Sequence, residues 1–103
     1  MKKPETLLRR AVEEALREAF PGGLFIKIHG GPFQARGIPD LLCCVDGRFA
    51  GIELKRGPRD LTAYQQVMLR KIREAGGIAF LARSVEEAIN GLKKALGSPM
   101  SKV

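Results

Sequence analysis

The chain has 103 residues and carries 18 Lys and Arg against 11 Asp and Glu, for a net charge of +7. With 45% hydrophobic and 28% charged residues it has the make-up of a globular domain with one modest core, which excludes disorder. No apolar run reaches the roughly 20 residues of a membrane-crossing helix, and the basic surface favours a polyanionic partner.

Met1-Lys2-Lys3 leads into a charged amphipathic segment and not into a signal-peptide core, so a cytoplasmic protein is expected. Residues 5–20 read as a helix. Pro4 suits its first turn, and Leu8, Ala11, Val12, Ala15, Leu16, Ala19 and Phe20 form one apolar stripe. Pro21-Gly22-Gly23 ends it, and Leu24 to His29 alternates as a strand does. Gly30 to Gly37 is a loop.

Ile38 to Val45 and Arg48 to Lys55 form two strands around Asp46-Gly47, a strong hairpin signal. Leu41 to Val45 is apolar on both faces, which predicts a central hairpin covered on both sides. Adjacent Cys43 and Cys44 point to opposite faces and cannot jointly hold a metal, so both read as buried small apolar residues. A helix runs from Leu61-Thr62 to about Ala75, with Thr62 and Gln65 at capping-box spacing and Gly76-Gly77 closing it. Ile78 to Ala82 is a short strand. Ser84 and Glu87 open a last helix whose apolar face holds Val85, Ala88, Ile89, Leu92, Ala95 and Leu96. The order α-β-β-β-α-β-α predicts an α/β fold with a mixed central sheet flanked by helices. Residues 1–96 form one domain, and 97–103 a flexible tail.

A two-residue turn at Asp46-Gly47 places Val45 opposite Arg48 and therefore Asp40 opposite Glu53, with Cβ atoms roughly 5 Å apart. Lys55, two residues beyond Glu53, shares that face. Opposed carboxylates on a buried hairpin repel and need a positive partner. Lys55 compensates one; a divalent cation compensates both. Oxygen donors suit Mg²⁺ or Mn²⁺ and not zinc. Such an ion lowers the pKa of a bound water, and a nearby ammonium offsets charge on a phosphate. The plainer reading is a surface Asp–Lys–Glu ion network.

G-I-P-D at 37–40, E-L-K at 53–55, L-T-x-x-Q at 61–65 and A-G-G at 75–77 resemble the VRR-NUC (virus-type replication–repair nuclease) family of the PD-(D/E)XK superfamily, from about Glu5 to Ala88. The resemblance implies a restriction-endonuclease-like core. It makes Asp40, Glu53 and the Leu54 carbonyl metal ligands, sets Lys55 beside the nucleophilic water, and gives Gln65 a role in positioning the lysine or a phosphate. For Gln65 the capping box stands beside that role. Such nucleases also place a carboxylate on the first helix. Glu5, in line with the apolar stripe, is the choice, against a first-turn acid favoured by the helix dipole. Lys27, Arg36, Arg56 and Arg59 are candidate DNA contacts or a solvated basic rim. His29 reads as packed or loop-anchoring, with a catalytic or ligand role as the alternative, and Tyr64 as either core or DNA-facing.

The resemblance also implies the function: a Mg²⁺- or Mn²⁺-dependent endonuclease on branched DNA, similar to junction resolvases. It would act as a homodimer, because a symmetric junction needs two sites. The alternatives are a basic module that binds DNA without cutting, and a sequence-specific restriction-type enzyme.

Overall fold

The structure, a computed structural model, describes residues 4–30 and 35–97, and only the backbone of Pro4 and Glu5. The tip of the loop after Gly30 and all of the proposed tail beyond Gly97 lie outside the described residues. The elements are α1 (Pro4–Ala19), β1 (Leu24–Lys27), β2 (Leu41–Val45), β3 (Arg48–Leu54), α2 (Ala63–Glu74), β4 (Ile78–Ala82) and α3 (Val85–Leu96). This is the order read from the sequence. β1 is shorter than expected and stops before His29.

The strands form one sheet in the order β1-β2-β3-β4. The first three are antiparallel, and β4 runs parallel to β3 after the α2 crossover. Asp46 (φ 52°) and Gly47 (φ 77°) both lie in the left-handed region, as a tight two-residue hairpin turn requires. That turn sets Val45 against Arg48 and carries the register to Leu41 against Ile52.

One sheet face is closed by α1 and α3. Val12 and Leu16 of α1 and Ala88 and Leu92 of α3 are fully buried against Phe25, Leu41, Cys43, Ala50, Ile52, Leu54 and Ala82. Each of the larger side chains, such as Val12, Leu16 and Leu92, contributes about 1.5–3 kcal/mol by leaving water. On the other face α2 packs on β3 and β4. It sits close, because a Cβ on Gly51 would lie 2.9 Å from Ile72 Cδ1. Among the described residues, no helix lies over the β1–β2 half of that face. Cys44 is exposed there, and Leu24, Ile26 and Phe49 are 58%, 48% and 46% exposed. The expectation of a hairpin covered on both sides is therefore corrected: α1 and α3 both pack on one face, which leaves α2 for the other. The reading of both cysteines as buried holds for Cys43, whose thiol burial and then Glu13 push up to about 12, and fails for Cys44.

An arginine caps a backbone carbonyl on each edge strand. Arg17 Nη2 donates to Phe25 O of β1 (3.0 Å), and Arg73 Nη1 donates to Ala79 O of β4 (2.9 Å). Occupied edge carbonyls discourage further strand pairing.

Candidate active site

The register of the β2–β3 hairpin, extended one residue past Leu41, brings Asp40 opposite Glu53. Ile28 N–H donates to Asp40 O (2.9 Å), which fixes the backbone there to the end of β1. The Asp40 side chain turns across to β3, where its Oδ2 accepts from Leu54 N–H (2.8 Å). Lys55 N–H on the next residue points the other way, to Ala82 O of β4 (3.2 Å). Along a strand the carbonyl points to the same side as its own residue's N–H, so the Leu54 carbonyl faces the Asp40 side.

Glu53 is 3% exposed and is the one buried charged residue of the described core. Its Oε2 accepts from Gln65 Nε2 (2.9 Å) and lies 4.0 Å from Lys55 Nζ. Its Oε1 is buried without a hydrogen-bond partner among the described residues. Burial first, and then the neighbouring Asp40 carboxylate, raise the Glu53 pKa to about 8; the Lys55 ammonium pulls the other way.

Gln65 reaches Glu53 because the start of α2 is locked. Thr62 Oγ1 accepts from Gln65 N (3.2 Å), and Gln65 Oε1 accepts from Thr62 N (2.9 Å). One side chain thus closes the capping box with its oxygen and holds a carboxylate with its nitrogen; the capping box is present, while the site contact is to Glu53 and not to Lys55.

These groups line a hollow of about 280 Å³ with Thr6, Arg9, Asp40, Leu54 and Arg59 around Glu53, Lys55 and Gln65. The free oxygens are carboxylate and carbonyl, the donor set of a hard divalent ion. Among the described residues no group of three or more His, Cys, Asp or Glu is placed to hold a metal ion. An ion here would meet Asp40, the orphaned Glu53 Oε1, the Leu54 carbonyl and water.

No protein-family model matches the chain, and no curated protein does. Among solved structures, a VRR_NUC domain superposes with a TM-score of 0.63 at 23% identity, over 82% of this chain and 92% of that one. The chain has the VRR_NUC fold. Hjc from Archaeoglobus fulgidus, a Holliday junction resolvase, shares it at a TM-score of 0.59 and 24% identity, over 77% of this chain and 67% of that one.

Within the VRR_NUC fold, Asp40, Glu53, Leu54, Lys55 and Gln65 converge, as the sequence motifs implied. Of the expected basic contacts, Arg59 lines the hollow, while Arg56 and Lys27 are exposed outside its lining. Arg36 is bound to Tyr64. His29 is exposed beyond the end of β1, not packed. Glu5 stands in the first turn of α1, one residue before Thr6, and its side chain lies outside the described residues. Arg9 and Thr6 were not legible as site residues. Both lie on α1, and α1 reaches the hollow only because its first turns overhang the end of β3.

Proposed function

We propose that this protein is a Mg²⁺- or Mn²⁺-dependent endodeoxyribonuclease that hydrolyses phosphodiester bonds in branched DNA, at four-way junctions or flaps, in replication, repair or recombination. One observation carries the reading: a carboxylate held 3% exposed, with one oxygen unpartnered, directly opposite a second carboxylate. A fold gains nothing by keeping such a pair: ionising both in the hollow costs several kcal/mol, which Lys55 at 4.0 Å offsets only in part.

Asp40, Glu53 and the Leu54 carbonyl would hold the ion, with Glu5 as a further ligand. The ion supplies an acidified water and a counter-charge for the phosphate. The chain's own groups do the rest. The Leu54 amide aims the Asp40 carboxylate, and Gln65 aims that of Glu53. Lys55, within 4.0 Å of Glu53, orients the attacking water and offsets charge on the phosphate as it grows. Arg9 and Arg59 line the same hollow and would receive the DNA backbone, with Lys27, Arg36 and Arg56 farther out.

Residues 1–96 are read as one nuclease domain that works as a homodimer. The uncovered face supports the pairing. Phe49 stands between an apolar hollow of about 180 Å³, lined by Leu24, Ile26, Leu42 and Cys44, and one of about 350 Å³ beside Ile72. In a two-fold pair each Phe49 would enter its mate's hollow. The capped sheet edges favour this face over strand-to-strand pairing. No helix of the described residues is long and apolar enough to cross a membrane.

The test is a cleavage panel of linear duplex, flap, splayed-arm and four-way DNA with Mg²⁺ or Mn²⁺. Metal-dependent cutting that prefers the branched substrates is expected. Binding without cutting in either metal would overturn the reading in favour of a basic DNA-docking module. Discrete fragments from long duplex would point to a restriction-type enzyme.

A further inference from the structure

Tyr64 is the only tyrosine, and it lies in the first turn of α2, one residue before Gln65. The residue is 55% exposed, yet it is held at both ends. Arg36 Nη1 donates to its hydroxyl (2.9 Å), and the Arg36 guanidinium carbon lies 4.9 Å from the ring centroid. The backbones interlock as well. Gly37 has φ +82°, and a Cβ there would collide with the Tyr64 carbonyl oxygen and sit 2.9 Å from Gln65 N. Only glycine lets the loop carrying Arg36 lie on the helix start. A typical exposed tyrosine changes rotamer freely; this one is pinned at its hydroxyl, at one face and at its backbone.

We propose that the Tyr64–Arg36 pair is a stacking platform for the nucleobase of an unpaired nucleotide, placed beside the catalytic hollow to select branched over continuous DNA. The inference rests on the nuclease reading above and supplies its substrate preference. Every base has a π-face that an aromatic ring accepts regardless of sequence. Inside a continuous duplex both faces are already stacked, whereas a base at a branch or in a flap has a face to give. The guanidinium keeps the ring in place and presents charge to the flanking phosphate. The adjacent Gln65 holds Glu53, so a base seated on Tyr64 also steadies the turn that aims a candidate metal ligand.

The test is fluorescence of 2-aminopurine placed in the single-stranded arm of a flap next to the branch, or inside an unbroken duplex, titrated with the full chain in EDTA so that nothing is cut. The wild type is expected to quench the arm probe and not the duplex probe. Tyr64→Ala should lose the quench and bind the flap about tenfold more weakly, the loss of one base stack. Tyr64→Trp should keep both. Circular dichroism and Mn²⁺ affinity are expected to match wild type in each variant. A wild-type protein that leaves the arm probe unquenched would overturn the platform, and so would a Tyr64→Ala protein that quenches and binds as wild type does. The readout needs no cleavage. A protein that quenches the arm yet cuts no DNA would sink the nuclease reading and leave the platform standing.

Discussion

In Glu53→Gln, the carboxylate that sits 3% exposed between Asp40 and Gln65 becomes an amide of the same shape. Its oxygen still accepts from Gln65 Nε2, and its new N–H₂ donates toward Asp40, where wild type sets one carboxylate against another. The size of the effect follows from the raised pKa. A carboxyl moved from 4.5 to about 8 loses up to about 5 kcal/mol when it must ionise, at roughly 1.4 kcal/mol per unit. Water entering the hollow reduces that to an expected 2–4 kcal/mol, in order of magnitude. The sign is that of a raised pKa: the Glu53 contribution to stability is intact below pH 4.5 and is lost as pH rises to about 8. In EDTA the variant and wild type should therefore unfold at similar urea concentrations near pH 4.5. The variant should gain steadily to about pH 8 and keep its advantage above that. With Mn²⁺ the order should reverse, because the variant lacks one of the two carboxylates proposed to hold the ion, and the variant should not cleave DNA. A pH-independent difference in EDTA, or equal Mn²⁺ stabilisation of both proteins, would refute the reasoning.

Asp40→Asn keeps an acceptor for Leu54 N–H but loses a charge, so cleavage should fall by about 10²–10³ with the fold and low-salt DNA binding retained, as gel-shift and nicking assays would show. Lys55→Ala should lower kcat by a similar factor of about 10²–10³ while leaving Mn²⁺ affinity intact by calorimetry. Gly37→Ala forces a side chain into a left-handed position already filled by the Tyr64 backbone; urea unfolding should show a loss of about 2 kcal/mol or more. Phe49→Asp alters a residue 46% exposed, so sedimentation should report a folded monomer in place of the proposed wild-type dimer, and an unchanged mass would rule out the apolar face as the interface.

The sequence by itself determined the elements and the central pair of acids, because both depend on local rules. Asp46-Gly47 admits few turns, a turn sets the register, and a register with period two puts Asp40, Glu53 and Lys55 on one side. Thr62 and Gln65 announced the helix start for the same reason, since a capping box is a contact three residues long. Only the tertiary structure decided the second use of Gln65, the place of Arg9 and Thr6 at the hollow, and the exposure of Cys44, Leu24 and Phe49. Those depend on where α1 and α2 land on the sheet, and that is set by packing between residues far apart in the chain. An apolar strand reads the same whether a helix covers it or a second molecule does, and an arginine on α1 carries no mark of the carboxylates that the fold brings beneath it.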